Sequence, residues 1–187
     1  MTARKTDRVL TSYRIGDPDG AFPIYDSEGA RLYPGRWNRP SSPLIYTSEH
    51  YSTAMLEKLV HFSAVLPSNQ HYIRITIPNG VSYAMFDPAA HPGWDGKNED
   101  ICKAFGDDWY REGRSALLIV PSIPARIERN ILINPRHPDA TGISHDLPVP
   151  VWWDERLLGA SATAGAPTRR KSRPATSKTR SKAAPGT

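Results

Sequence analysis

Three side chains between Tyr33 and Phe62, in "YPGRWNRPSSPLIYTSEHYSTAMLEKLVHF", together suit an anionic ligand that carries a planar ring. Arg36 follows a glycine in a turn, and its guanidinium can make two parallel hydrogen bonds to a phosphate or a carboxylate. Tyr46 can stack on a heterocycle, and Glu57 supplies a carboxylate. Each residue type alone is more often an ordinary surface or core residue, so the hypothesis depends on the combination.

Two predicted strands hold polar candidates. The stretch "SPLIYTS" predicts a strand in which alternation places Tyr46 on the face opposite Ile45, toward a cleft. The apolar run "SALLIVPS" is typical of a strand covered on both faces, and it ends at Ser122. That serine can hydrogen-bond a ligand, orient a neighbouring carboxylate or cap the following turn. Asn134, in the next apolar segment, is a further candidate for ligand binding.

A predicted helix positions the glutamate. Residues 52–64 contain no Gly or Pro, and their apolar spacing predicts one buried stripe, made of Leu56, Leu59, Val60 and Ser63. Glu57 flanks this stripe, and His61 lies one turn further along the same side. A carboxylate at the border of a buried face is well placed to reach a half-buried cleft. A solvated glutamate paired with His61 or Lys58 is the alternative.

Composition and motifs exclude several classes. The 187 residues predict one domain, which we place at residues 1–158. The single cysteine excludes an intramolecular disulfide, and without a Cys cluster we expect no metal site. No P-loop, Rossmann or zinc-protease motif occurs, nor a G-x-S-x-G. With no secretory signal pattern and no run of about 18 apolar residues, we expect a cytoplasmic protein.

The basic charge belongs to the end of the chain. Seven of the 24 Lys and Arg residues and none of the 19 acids follow Leu158, so residues 1–158 have a formal charge of about −2. Residues 159–187 are rich in Ala, Ser, Thr and Pro, and we predict a disordered basic tail. The tail is either a solvated segment or a non-specific contact to nucleic acid.

Strands and helices do not alternate as they would in βαβ units. "HYIRITIP" alternates as a half-buried strand does, and a helix is predicted at Glu99 to Tyr110. The sequence therefore predicts an α+β fold, a single compact domain with a mixed β-sheet core.

Seven motifs, in order and spacing, resemble the RES-domain toxins of bacterial toxin–antitoxin pairs: "GARLYPGRWN", "PLIYTS", "TAMLEKLVH", "GDDWY", "SALLIVPS", "NILINPRHP" and "VWWDERLL". The resemblance spans about residues 13–158. It implies a fold similar to that of the ADP-ribosyltransferase toxins, with NAD as the substrate. It also implies that the site contains Arg14, Arg36, Tyr46, Glu57, His61 and Ser122. The chain departs from the family pattern at Pro34, where a second glycine is expected.

The resemblance also implies a chemistry. Cleavage of the nicotinamide–ribose bond develops positive charge on the sugar carbon, which Glu57 would stabilise, while Arg36 and Arg14 would hold the pyrophosphate. ADP-ribose would pass to a protein, water or phosphate. Transferases that modify arginine often carry a second glutamate two residues before the catalytic one, and Met55 occupies that position here.

A toxin of this kind implies a partner that restrains it. We expect an antitoxin of the Xre helix-turn-helix class that covers the cleft. The alternative hypothesis is a non-catalytic basic module that contacts nucleic acid through its C-terminal tail. It predicts that removal of the tail abolishes function and that Glu57→Gln is harmless.

Overall fold

The structure, a computed structural model, describes residues 4–62 and 66–158. The elements are the strands β1 (Arg4–Lys5), β2 (Leu10–Gly16), β3 (Ile45–Ser48), β4 (His71–Ile77), β5 (Ser82–Met85), β6 (Leu117–Pro121), β7 (Arg129–Ile133), β8 (Ser144–His145) and β9 (Val149–Pro150), and the helices α1 (Glu28–Leu32), α2 (Tyr51–Leu59) and α3 (Asp100–Arg111). Two 3-10 turns cover Pro138–Gly142 and Glu155–Leu158. The predicted disordered tail, 159–187, lies outside the described residues. None of the described helices is both long and apolar enough to cross a membrane.

Within these ranges the nine strands form one mixed sheet. Its order is β1-β5-β6-β7-β3-β2-β4-β8, and β9 pairs with β4. The pair β5 and β6 is parallel, whereas the other paired strands are antiparallel. The α+β class and the mixed sheet are therefore confirmed.

Two apolar cores lie against the sheet, because neighbouring side chains of a strand point to opposite faces. The first core takes the isoleucines of β4 with Ile45 and Ile133, and the second surrounds Trp37 and Trp109. Strand β6 contributes Leu117 to the first core and its neighbour to the second, as expected of a strand covered on both faces. Pro121 is the last paired residue of this strand, and Ser122 follows it directly.

Helix α2 differs from its prediction in length and in the face that it buries. It ends at Leu59, and residues 63–64 of the predicted helix lie outside the described ranges. Its buried residues are Thr53 and Ala54, whereas Leu56 is 41% exposed and Val60 is 62% exposed. The predicted apolar stripe was therefore wrong. The helix packs on β2 and β3 at an opening in the sheet, so its inner face meets a cavity rather than an apolar core.

Helix α3 matches its prediction to within one residue at each end and packs closely on the turn that contains Arg36. A Cβ atom on Gly106 would lie 1.9 Å from the carbonyl oxygen of Trp37. No flexible side chain can give way there, because the obstacle is backbone. We therefore expect Gly106→Ala to lower the free energy of unfolding by about 2–3 kcal/mol, as overpacking does, measured by denaturant titration.

Gly29→Ala is the matched control for Gly106→Ala. A Cβ atom at Gly29 meets nothing within 4 Å, and the residue is helical. Alanine should therefore stabilise α1 by about 0.5–1 kcal/mol. If Gly106→Ala were as stable as the parent protein, the close packing of α3 on Trp37 would be contradicted.

Candidate active site

The candidate site is a cavity where the sheet opens between β2 and β3. Tyr13 and Ser48 form the single register pair between these two strands. Beyond this pair, β2 continues beside β4 and β3 beside β7. The cavity is lined by this register pair and by the residues next to it on the two facing edges: Tyr13, Arg14 and Ile15 of β2, and Tyr46, Thr47 and Ser48 of β3.

The cavity has a volume of about 830 Å³. Pockets that hold small molecules typically measure about 300–1,000 Å³, so this cavity lies toward the upper end of that range. Helix α2 contributes Glu57, Lys58 and His61 to the lining, and the turn after α1 contributes Gly35 and Arg36.

Glu57 is held at its Oε1 atom by two donors from the other side of the cavity. The Ser122 hydroxyl donates at 2.8 Å, and the Asn130 amide donates at 2.6 Å. Asn130 in turn accepts a hydrogen bond from Ser48, and Ser122 accepts one from the backbone of Ala125. No donor in the described part of the chain binds Oε2. The carboxylate is thus oriented by one oxygen and presents the other to a ligand.

A buried asparagine organises the turn at residues 34–38. The side chain of Asn38 is fully buried, and its Oδ1 accepts hydrogen bonds from the Gly35 backbone and from the Tyr46 hydroxyl, each at 2.9 Å. Its amide nitrogen donates to the carbonyls of Ala30 and Arg39. The turn that bears Arg36 is therefore bonded on both sides to a single rigid side chain.

Tyr46 completes the same arrangement. Its hydroxyl accepts a hydrogen bond from the Trp37 backbone at 3.0 Å while it donates to Asn38. Burial raises the pKa of Tyr46 well above its usual value, so the ring is neutral at physiological pH. A Cβ atom at Gly35 would lie 2.9 Å from the Tyr46 ring. Glycine is required there by the tyrosine, whereas the sequence suggested close approach to a ligand.

Arg36 connects this turn to the segment before α3. Its Nη1 atom donates to the carbonyls of Trp94 and Gly96, each at 3.0 Å, and its Nη2 lies 3.6 Å from Glu99. Both Nη1 hydrogens are therefore used within the protein. No hydrogen bond among the described residues uses its Nε atom, which remains a donor available to a ligand.

Arg14, unlike Arg36, is not held by side-chain hydrogen bonds within the described part of the protein. Its Nη1 atom is buried and has no hydrogen-bond partner among the described residues. Burial lowers the pKa of Arg14 to about 10, and the nearby charge of Asp26 only partly opposes this effect. An unpaired buried charge is costly to a fold, and such groups concentrate at functional sites. The chemistry of this guanidinium fits an anionic ligand in the cavity.

Comparison with known proteins identifies the family. The sequence pattern of the RES domain matches residues 11–154. The chain belongs to the RES domain family. The "Prs ADP-ribosylating toxin" of Sphingobium sp. (strain YBL2) is 37% identical over 141 residues, which are 73% of this chain and 85% of the relative. "Toxin Res" of Pseudomonas putida is 33% identical over 123 residues, 64% of this chain and 83% of the relative.

A solved structure shares the fold of this RES domain. A chain in the crystal structure of the M. tuberculosis MbcT–MbcA toxin–antitoxin complex superposes with a TM-score of 0.62 over 82% of this chain and 89% of that chain. The identity is 18%, so this likeness supports the fold alone. The family and the fold inferred from the seven sequence motifs are both confirmed.

The RES domain brings most of the sequence-predicted residues to one place. The cavity is lined by Arg14, Arg36, Tyr46, Glu57 and, at its rim with an exposed ring, His61. Ser122 lies behind Glu57 and acts on it by hydrogen bonding. The described residues contain no cluster of three or more His, Cys, Asp or Glu side chains that could bind a metal ion.

Asn134 is not brought to the cavity of the RES domain. It is buried in the turn after β7, where its side chain accepts from the backbone of Arg136. The asparagine at the site is Asn130, which sequence reasoning missed. Asn130 and Asn134 are an even number of positions apart, so in an extended strand they would point to the same face, but four residues of extended chain separate them by about 13 Å. The signal for Asn130 is its register with Ser48, the partner of Tyr13.

Proposed function

We propose that this RES domain is the toxin of a toxin–antitoxin pair and that it cleaves the nicotinamide–ribose bond of NAD. The observation that carries the proposal is the carboxylate of Glu57, held on one oxygen by Ser122 and Asn130 inside a cavity of about 830 Å³. The printed names of the relatives, an ADP-ribosylating toxin and Toxin Res, agree with it.

Glu57 acts on the charge that develops in the transition state. As the bond from the ribose C1′ to the nicotinamide nitrogen breaks, its electron pair leaves with nicotinamide, which departs neutral, so no general acid is needed. Positive charge accumulates on C1′ and the ring oxygen. A fixed carboxylate stabilises that charge more than it stabilises the ground state. Ser122 and Asn130 are positioning residues, since they hold the carboxylate before the reaction begins.

Binding of the rest of NAD orients the reacting bond. Tyr46 offers a ring beside the nicotinamide, and Arg14, with the remaining donors of Arg36, binds the pyrophosphate. His61, at the rim, lies where the acceptor approaches. The acceptor oxygen bonds to C1′ and loses its proton, which leaves ADP-ribose on a protein, on water or on phosphate.

The product identifies the acceptor. Purified protein is incubated with NAD, with or without inorganic phosphate and with or without cell lysate, and nicotinamide and ADP-ribose are quantified. Free ADP-ribose indicates hydrolysis, its phosphorylated form indicates phosphorolysis, and a labelled protein band indicates transfer. Absence of nicotinamide release in every condition would contradict the proposed function.

An antitoxin of the Xre helix-turn-helix class is proposed as the partner that covers the cavity. The fold is shared with a chain solved in a toxin–antitoxin complex. We expect the co-purified complex to cleave NAD far more slowly than the free chain. A complex that bound and cleaved NAD at the rate of the free chain would contradict this arrangement.

Removal of residues 159–187 distinguishes the enzyme hypothesis from the hypothesis of a nucleic-acid-binding module. The proposed site lies wholly within residues 13–130, so we expect the truncated chain to retain the parent rate of NAD cleavage within about twofold. Loss of the seven basic residues after Leu158 would weaken only non-specific, salt-sensitive attraction to phosphate backbones. A truncated chain that lost toxicity while it cleaved NAD normally would favour the alternative, a module that acts through its tail.

A further inference from the structure

Lys58 lies beside Glu57 on α2 and lines the same cavity, yet neither the predicted site nor the proposed reaction uses it. Adjacent residues of a helix point in different directions, so Lys58 does not pair with Glu57. In the described part of the chain its amino group has no ion-pair partner. Its nitrogen lies 5.6 Å from the centre of the Phe62 ring, a weak cation–π contact.

Arg14 resembles Lys58 in that it is a cation of the cavity lining without an ion-pair partner among the described residues. Its buried Nη1 atom also has no hydrogen-bond partner in this part of the chain. The pKa of Lys58 is lowered first by burial and then by the positive charge of Arg14, with Asp17 opposing. The two cations therefore lie close enough to repel each other. Both residues line the same cavity, and neither forms an ion pair among the described residues.

The other charged residues of the cavity already have partners or a proposed role, so Lys58 and Arg14 remain available to a ligand. Arg36 faces Glu99 and donates to two carbonyl oxygens, so it is largely engaged by the protein. Glu57 is oriented toward the reacting sugar by Ser122. Arg14 and Lys58 remain, and two positive charges match the two negative charges of a dinucleotide pyrophosphate.

We propose that Lys58 and Arg14 together form a phosphate-binding subsite of the cavity, in which Lys58 supplies a mobile point charge and Arg14 a fixed one. The phosphate comes from one of two sources: the pyrophosphate of NAD, or free inorganic phosphate that attacks the sugar. For NAD the inference rests on the proposed function. Anion binding would relieve the repulsion between the two cations.

Lys58→Gln tests the subsite, because it removes the charge and keeps a polar helix former. Lys58→Arg restores the charge, and Lys5→Gln removes one exposed charge from β1, far along the sheet from the cavity. The KM for NAD is measured in phosphate-free buffer, and the rate is then measured against added inorganic phosphate. A hydrogen bond between charged groups corresponds to roughly a 10-fold or larger change in affinity.

The KM measurement and the phosphate titration together show whether the bound phosphate comes from NAD or from free inorganic phosphate. If NAD supplies the phosphate, Lys58→Gln raises its KM about 10-fold at nearly constant kcat, Lys58→Arg restores it, and Lys5→Gln resembles the parent. If free phosphate is the occupant, the KM for NAD is unchanged, and the phosphate concentration needed for half-maximal rate rises instead. If neither quantity changes, the subsite is contradicted.

A measurement without catalysis separates this inference from the proposed function. Inorganic pyrophosphate should raise the Tm of the parent chain and of Lys58→Arg, and should raise that of Lys58→Gln much less. If the parent cleaves no NAD but this pattern holds, the proposed function fails and the subsite stands. If pyrophosphate raises the Tm of Lys58→Gln as much as that of the parent, the subsite is overturned even when NAD is cleaved.

Discussion

Glu57→Gln is expected to lower the kcat of NAD cleavage by about 10³-fold, comparable to removal of one preorganised electrostatic group from an active site. Glutamine has the same shape as glutamate, and its oxygen can still accept from Ser122 and Asn130, so the fold and the KM for NAD should change little. Only the negative charge that faces the developing positive charge is lost. Nicotinamide release by the purified protein measures the effect, and cells that express the variant should grow and retain their NAD.

Glu49→Gln is the matched control for that experiment. Glu49 lies two residues before α2, and its side chain does not line the cavity. Loss of its charge should leave kcat within about twofold of the parent. If Glu57→Gln cleaved NAD at the parent rate, the proposed role of the carboxylate would be wrong. This conclusion does not depend on whether Lys58 and Arg14 form a phosphate-binding subsite.

The local patterns that predicted the site were those in which residue type and position agree. Tyr46 lies opposite Ile45 because β3 alternates, and the structure has Ile45 in the first core and Tyr46 packed against the second. The helix that bears Glu57 exists because residues 51–59 have no breaker. These features depend on a few neighbouring residues, and a single sequence contains them.

The inner face of α2 was not predictable in the same way. Periodicity assumes that a helix buries its apolar residues, and this assumption selected Leu56 and Val60. The helix instead covers an opening between β2 and β3, so small and charged residues face inward, with Glu57 one turn after Thr53 and Ala54. That opening follows from the sheet order, in which β2 and β3 meet at only one pair, and sheet order is a long-range property.

The hydrogen-bond partners of the site were hidden for the same reason. Asn38 and Asn130 act across 8 and 73 residues of sequence, on Tyr46 and Glu57 respectively. Asparagine in a turn or at the start of a strand is ordinary by composition, and only the register of β3 with β7 identifies the second one. Arg14 was expected from resemblance to the family, but its unpaired burial is a finding of the structure.

Arg14→Met is expected to make the protein more stable and less active at once. Met keeps the unbranched apolar stem and removes a guanidinium whose pKa burial lowers to about 10. At about 1.4 kcal/mol per pKa unit, the charged form costs the fold on the order of 3 kcal/mol. The free energy of unfolding should therefore rise by about 1–3 kcal/mol, measured by denaturant titration at pH 7. The KM for NAD should rise at least 10-fold, because a charged donor to the pyrophosphate is lost.

The size of the stability gain in Arg14→Met depends on pH, and this dependence identifies the buried charge as its cause. A base whose pKa is lower in the folded state destabilises the fold wherever it is protonated, so the cost is full below about pH 10 and is lost as the pH rises above that value. The advantage of Arg14→Met should accordingly be constant from pH 6 to 9. Arg74→Met is the control, because Arg74 is exposed and bonded to Asp146 at 2.8 Å; its loss should cost about 0–1 kcal/mol and leave the KM unchanged. If Arg14→Met were less stable than the parent and bound NAD equally well, Arg14 would have a structural role. A gain in stability together with a loss of affinity for NAD would mean that the buried charge destabilises the fold and serves to bind the ligand.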